Sequence, residues 1–305
     1  LIARKEYHQF LDSRVQYIEV DLGGWRYNPV VLLRLLFAVR ACRSEIVHAQ
    51  ANKAAAMFGK IAGLVPGKHI ATLHSLKSNT RMYNHYHHVI AVSRDAARRV
   101  EHKRVSVIYN GIAPVEVSTV CDRDWMLGVF GLTGDMPIVL AAGRLVEVKG
   151  FDILVKAWVG IEANLLIAGD GPEKQHLESL IKGHGLQDRV HMIGYRHDIP
   201  SLMKAVDLVV ISSRREGFPY VMVEALHANS LVVSTQVPGA VEILPDVVLA
   251  PCENPDGLRQ CINKVLDESA SLHEVFRKVW EFAENNLTMD AMVKQTETVY
   301  QQLLG

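Results

Sequence analysis

Short apolar runs rich in Val and Ile alternate, along almost the whole chain, with stretches of helical length and composition. In the first half the runs are Val15–Leu22, Glu45–Gln50, His69–His74, Val89–Ser93 and Val105–Tyr109, and between them lie Pro29–Arg43, Asn52–Leu64, Ser78–Tyr86 and Arg94–His102. In the second half the runs are Pro137–Ala142, Leu165–Ala168, Val190–Ile193, Leu208–Ser212, Leu231–Thr235 and Val247–Ala250, again separated by helical stretches. Continuous rather than alternating apolar runs are the pattern of strands covered on both faces by helices. Strand–helix–strand alternation requires right-handed parallel crossovers. The expected fold class is therefore α/β, built from Rossmann-like doubly wound parallel sheets.

A length of 305 residues suggests two such domains. Periodicity weakens across Ala113–Asp135, where Pro114, Gly131 and Gly134 cluster, so the domain boundary is expected there. The resulting division is 1–118, 119–286 and a last segment, 287–305, whose stretch Met289–Leu304 is a helix with no strand after it.

Formal net charge is zero but unevenly spread. Residues 1–118 hold 17 Lys and Arg against 8 Asp and Glu; the remaining residues hold 16 against 25. The basic first half fits an anionic partner, and the split fits equally well two domains that attract each other. Cys42, Cys121, Cys252 and Cys261 fit no metal or redox spacing and read as reduced thiols of a cytoplasmic protein. No apolar run reaches the roughly 20 residues of a membrane span; the longest, Val30–Val39, is interrupted by Arg34. No signal-peptide pattern opens the chain. His85, His87 and His88 invite a metal reading, but read better as the end of a helix before a strand, so no metal site is expected.

In open parallel sheets ligands bind at the carboxyl ends of strands, and the chemistry-bearing segments all follow strand runs. In Ser212-Ser-Arg-Arg-Glu-Gly-Phe-Pro-Tyr-Val-Met-Val-Glu224, Pro219 suits a first helical turn, and a helix over Tyr220–Ala228 presents free N–H groups and a positive dipole end, a ready diphosphate site. Glu216 precedes that helix and Glu224 lies about one turn inside it. In Ala142-Gly-Arg-Leu-Val-Glu-Val-Lys-Gly150, Gly143 permits a turn, and Arg144 and Lys149 are two cations suited to phosphate and to a departing negative charge without a divalent metal. Gly169-Asp-Gly-Pro172 and Ile193-Gly-Tyr-Arg-His-Asp198 follow two more strands, the latter able to edge a nucleobase.

Glu216 and Glu224 in their Glu-Gly-Phe-Pro context, with Gly143-Arg-Leu, Lys149-Gly, Gly169-Asp-Gly-Pro and Tyr109-Asn-Gly111, resemble the retaining GT-B glycosyltransferases of glycosyltransferase family four. The resemblance covers essentially the whole chain and is densest from Ile138 to Leu244. It implies two Rossmann-like domains facing a cleft, with 1–118 on the acceptor side, 119–286 binding a nucleotide sugar, and the final helix crossing back. It implies that Glu216 bonds donor-sugar hydroxyls and Glu224 the ribose. Arg144 and Lys149 would hold the diphosphate with backbone N–H groups of Tyr220 and Val221. Gly217, Phe218 and Pro219 would line the sugar pocket, Tyr195 and Arg196 would flank the base, and His74 in Thr-Leu-His-Ser would sit near the reaction centre. The catalytic set so implied is Glu216, His74, Arg144 and Lys149, with no cofactor beyond the nucleotide-sugar co-substrate.

Two departures stand out. The family's small-Gly-Thr-Pro type turn after the second Glu is replaced by His227-Ala-Asn-Ser-Leu231, in which Asn229 is expected to take the left-handed conformation. The start, Leu1-Ile-Ala-Arg, looks like the end of the family's second strand, so the N-terminal domain is expected to be incomplete. The implied activity is transfer of a hexose-type sugar from a UDP- or GDP-type donor, with retention, to a glycan or lipid-linked acceptor in cell-surface polysaccharide or lipopolysaccharide synthesis. The expected location is cytoplasmic or peripheral at an anionic membrane face, which the basic first half suits; the Arg-bearing apolar stretch Pro29–Arg43 reads either as a lipid contact or as a helix packed on the sheet, and nucleic acid is not an expected partner. A sugar-nucleotide epimerase of the same fold and a non-catalytic sugar-nucleotide-binding or partner subunit remain alternatives. A dinucleotide dehydrogenase is disfavoured, because Gly169-Asp-Gly171 lacks a third glycine.

Overall fold

The computed structural model describes residues 2–3, 11–21, 25, 28–74, 80–114, 121–132 and 135–305. The expected boundary at 118/119 and the residues Leu1, Arg4, Leu22, Ser75, Ser78 and Gly134 lie outside this description. The chain divides into two compact units, Leu1–Ile108 with Lys294–Gly305, and Tyr109–Val293.

The first unit contains a short parallel pair, β1 (Ile2–Ala3) and β2 (Ile18–Glu19), and a four-stranded parallel sheet in the order β3 (Ile46–Gln50), β4 (Lys68–Leu73), β5 (His88–Ala91), β6 (Val105–Val107). Among the described residues of the expected strand Val15–Leu22, Ile18 and Glu19 pair with β1; a hydrogen-bonded turn from Asp12 to Val15 delays its start. Helix α1 (Pro29–Cys42) starts where Asn28 accepts a bond from the Val30 N–H and Pro29 presets the first turn. It sinks Leu35, Leu36 and Val39 into the core, against α2 (Asn52–Ile61) and the sheet. Its outward face carries Val30, Leu33 and Phe37, exposed at the helical spacing of one stripe beside Arg34. After β5 comes α3 (Arg94–Arg98), capped by the Ser93 hydroxyl on the Ala96 N–H.

The second unit is a six-stranded parallel sheet. Its strands are β7 (Ile138–Ala142), β8 (Asn164–Ala168), β9 (Val190–Gly194), β10 (Leu208–Ile211), β11 (Val232–Thr235) and β12 (Leu249–Ala250), in the spatial order β12-β11-β10-β7-β8-β9. The central strands are buried along their length, which is why the sequence shows continuous apolar runs rather than alternation. Helices α4 (Arg123–Phe130), α5 (Phe151–Ala157), α6 (Lys174–Gly183), α7 (Ile199–Ala205), α8 (Tyr220–His227), α9 (Ala240–Ile243), α10 (Pro255–Asp267) and α11 (Ser269–Asn286) follow in chain order, and α12 (Met289–Leu304) closes the chain. Chain order reverses at β7/β10: β8 and β9 extend one way from β7, β11 and β12 the other way from β10. This is the topological switch point, where loops leaving neighbouring strands splay apart and open a crevice.

Three local expectations change. The break at Ala113–Asp135 contains α4, started by the Asp122 carboxylate on the Trp125 N–H and stopped by left-handed Gly131; it buries Met126, too little apolar surface to show as a period. Pro219 stands at the N-cap of α8, one residue before its first turn, with extended ψ of 118°. Val247 and Val248 belong to a 3₁₀ turn, leaving β12 two residues long.

The unusual turn after α8 behaves as its sequence suggested. Asn229 has φ 58°, and the N–H groups of Asn229 and Ser230 bond back to the carbonyls of Leu226 and Ala225, closing the helix end. Because L side chains other than Asn, Asp and Gly are strained there, Asn229→Ala should lower stability by about 1–2 kcal/mol, whereas Asn229→Gly should be neutral to about 0.5 kcal/mol; urea unfolding of the two variants measures the difference.

Candidate active site

The second unit's strand-end loops are tied to one another by backbone bonds before any side chain contributes. The Gly143 N–H reaches the Ala168 carbonyl, Leu145 reaches Asp170, Glu173 reaches Leu145, and Gly169 reaches Gly194. Across the switch point, the Arg214 N–H bonds the Val148 carbonyl and the Ser212 hydroxyl bonds the Lys149 carbonyl. The spacing is so close that a Cβ on Gly169 would lie 1.9 Å from the Gly143 carbonyl oxygen, and one on Gly150, at φ 65°, 2.1 Å from the Ser212 carbonyl oxygen. Only glycine fits either place.

This scaffold carries a charged cluster. Lys149, at the end of the loop after β7, donates from Nζ to Glu216 Oε1 at 2.6 Å. The Ser213 hydroxyl donates to the same oxygen at 2.8 Å. Glu216 Oε2 has no partner among the described residues, so a partly buried carboxylate keeps one oxygen for a ligand hydroxyl, while the Lys149 ammonium has further N–H donors available. Glu224, in the second turn of α8, is raised above its usual value of 4.5 by burial, opposed by the charge of Lys149. No side chain caps α8 and no acidic residue lies in its first turn, so the N–H groups around Tyr220 and Val221 and the positive helix end are not neutralised locally. One ammonium, two carboxylates and one open helix end thus flank the switch point.

Other expected site residues are placed differently. Arg144 is exposed on the loop after β7 with no side-chain partner among the described residues. Tyr195 is 70% exposed beyond β9 and packs edge-on against His197. Arg196 is committed elsewhere: it forms an ion pair with Asp198 and lies over the rings of Trp125 and Phe130, at 6.0 and 5.5 Å. Gly217, Phe218 and Pro219 are buried. The Phe218 ring stacks on Tyr109, with centroids 5.1 Å apart, and presses against Gly239. His74 belongs to the first unit, just after β4, where Nε2 meets Gln50 Oε1 at 2.8 Å and burial lowers its pKa. Among the described residues no group of three or more His, Cys, Asp or Glu converges. His87 instead accepts the His69 backbone N–H, and the four cysteines are free thiols.

Several contributors had no role assigned from the sequence, although Tyr109 and Asn110 stood in the motif Tyr109-Asn-Gly111. Ser213 positions Glu216, and its signal was only its place three residues earlier on the same loop. Arg214 grips both oxygens of Asp152 at 2.7 and 2.9 Å and bonds the Glu147 carbonyl, anchoring the Glu216 loop to α5. Asn110, 3% exposed, donates to the Phe218 carbonyl, and Tyr109 to Glu242, so Tyr109-Asn-Gly111 braces the Gly217–Pro219 segment.

Two family models match the chain: glycosyl transferases group 1 over residues 126–279, and glycosyltransferase family 4 over residues 4–116. An uncharacterized glycosyltransferase of Methanocaldococcus jannaschii is 30% identical over 65% of this chain and 54% of its own length. The lipopolysaccharide core biosynthesis glycosyltransferase LpsD of Rhizobium meliloti is 25% identical over 81% of this chain and 69% of its own. The chain spans about half the length of curated relatives such as the first of these. Among solved structures, Anabaena HepE in complex with UDP and glucose superposes with a TM-score of 0.80, covering 95% of this chain and 86% of that one at 22% identity. The fold is thereby that of the GT-B class.

The raised pKa of Glu224 has a definite sign. Folding favours the protonated carboxyl, so the unfolded chain ionises first, and stability falls as pH rises from the ordinary value of 4.5 through the raised folded value. Glu224→Gln removes that cost. Its Tm relative to the parent should rise from below pH 4.5 to neutral pH in thermal unfolding, where a flat difference would contradict the assignment.

Proposed function

Because the chain belongs to the glycosyl transferases group 1 family, we propose that it transfers a hexose-type sugar, with retention, from a nucleoside-diphosphate sugar of UDP or GDP type to a hydroxyl of a glycan or glycolipid. The observation that carries this reading is the Lys149–Glu216 pair spanning the switch point, with Glu216 Oε2 open and the uncapped start of α8 beside it. The diphosphate rests on the α8 N–H groups with Lys149 and the exposed Arg144, which stabilise the charge that builds as the phosphate leaves. Glu216 orients the donor sugar through its open oxygen, and half-buried Glu224 takes the ribose hydroxyls, where each hydrogen bond to a charged group contributes about 1.5–3 kcal/mol. In retaining glycosidases a second carboxyl forms a covalent intermediate. Here we read same-face attack, in which the acceptor oxygen bonds to the anomeric carbon as the bond to phosphate breaks, and the acceptor proton passes to the leaving phosphate. His74 acts as a hydrogen-bonding group near the sugar, and Tyr195 edges the base. The complexes of HepE with UDP and with UDP-glucose support a nucleotide-sugar donor.

Titration calorimetry with UDP, GDP and ADP tests the donor site. One nucleotide should bind, and Lys149→Ala should weaken it by about tenfold or more, the loss of one charge-assisted contact. Binding of none would overturn the assignment. Retention is read from the anomeric configuration of the product by NMR.

The acceptor reading rests on the first unit. The exposed stripe Val30, Leu33, Phe37 lies beside Arg34, with Arg40 and Arg43 further along, an apolar face edged by cations that suits a membrane surface rich in anionic lipid. The description of LpsD as a lipopolysaccharide core enzyme supports an acceptor of this kind. No helix among the described residues is long and apolar enough to cross a membrane. Liposome flotation should therefore show binding to vesicles with anionic lipid, none to neutral vesicles, and loss in Phe37→Glu.

A further inference from the structure

A chain of polar side chains runs along the β3–β4 edge of the first unit's four-stranded sheet to His74. His48 and Gln50 alternate on β3, and Thr72 and His74 alternate on and just beyond β4. The parallel register sets Gln50 opposite Thr72, so strand period two puts all four on one face. Tyr300 of α12 meets the same group. His48 Nδ1 lies 2.6 Å from Tyr300 Oη, His48 Nε2 lies 2.7 Å from Thr72 Oγ1 and 3.3 Å from Gln50 Nε2, and Gln50 Oε1 lies 2.8 Å from His74 Nε2.

The donor and acceptor inventory leaves little freedom. His48 is half-buried and neutral, its pKa pushed down to about 4 by burial and by His74. A neutral imidazole has one N–H and one lone pair. The Gln50 amide nitrogen can only donate, so His48 Nε2 is the lone pair and accepts from Gln50 and from the Thr72 hydroxyl. His48 Nδ1–H then donates to Tyr300. The Gln50 carbonyl can only accept, so His74 carries its proton on Nε2 and its Nδ1 is a lone pair, with no partner among the described residues.

We propose that Gln50, backed by His48, Thr72 and Tyr300, is the positioning residue that fixes His74 in its Nε2–H tautomer and presents Nδ1 as an acceptor for a sugar hydroxyl. The catalytic consequence rests on the reading of His74 given above; the tautomer does not. Turning the Gln50 amide over would reverse every proton in the chain and make Nδ1 of His74 a donor, so the relay holds one of two self-consistent patterns. Its far end on α12 makes the fit of the last helix part of the setting.

The test is ¹⁵N-histidine NMR on the full chain, with the His74 signals assigned by their loss in His74→Gln. The expected spectrum has a pyridine-like, unprotonated Nδ1 for His74. Gln50→Ala should turn it into an averaged mixture of tautomers and lower kcat about tenfold with little change in donor KM. Gln50→Glu, which still accepts from Nε2–H, should restore both signals. Tyr300→Phe, which removes one hydroxyl at the far end, should move the His48 signals and weaken the His74 preference. A protonated Nδ1 on His74, or a His74 tautomer untouched by Gln50→Ala, would overturn the proposal. If the tautomer responds as expected while neither Gln50→Ala nor His74→Ala changes turnover, the relay stands and the catalytic reading of His74 falls.

Discussion

Two backbone approaches set the geometry of the second unit: Gly169 against the Gly143 carbonyl, and Gly150 against the Ser212 carbonyl. Each closes a loop of one strand onto a loop of its neighbour, at a separation no side chain tolerates. The first fixes the loops after β7 and β8 together, and the second carries Lys149 across the switch point to the loop after β10. The Lys149–Glu216 bond follows from this closeness. A flexible lysine would lose most of its attraction for a carboxylate in water to screening and side-chain entropy. Held on a short turn, with both groups mostly shielded, it keeps it.

The same scaffold explains why so many polar residues here serve the frame rather than a ligand. Arg214 is held in a bidentate pair with Asp152, where the guanidinium keeps the carboxyl below its usual range against the opposing effect of burial. Arg196 is similarly consumed by Asp198 and two aromatic rings. What remains for chemistry is the small set left without partners among the described residues: one oxygen of Glu216, the spare donors of Lys149, exposed Arg144, the α8 start and half-buried Glu224. In the first unit the corresponding economy is the His48–Gln50–His74 chain, in which neighbouring polar groups bond one another and His74 Nδ1 has no partner among the described residues.

How much was legible in advance follows from the kind of signal involved. The strands over Ile46–Gln50, Lys68–Leu73, Ile138–Ala142, Asn164–Ala168 and Val190–Gly194 lie within a residue or so of the apolar runs, because burial on both faces writes a continuous apolar segment. Asn229 was legible because the left-handed conformation has few candidates. Helix α4 was not, since a helix resting largely on its caps and one buried methionine leaves no apolar period. The resemblance gave Phe218 a place beside the sugar but could not show that its ring stacks on Tyr109, more than a hundred residues away.

The sequence by itself therefore determined the order of most strands, the α/β class and the family, and nominated residues for a donor site. These depend on local periodicity, on turn chemistry and on residues whose type is dictated by the backbone conformation around them. Only the tertiary structure decided which of those residues are free to act. It paired Lys149 with one oxygen of Glu216 and not the other, tied Arg196 to Asp198, and set Gln50 against His74. The physical reason is that partnership among charged and polar groups depends on distances of a few ångströms between loops remote in sequence, and no local pattern encodes those distances.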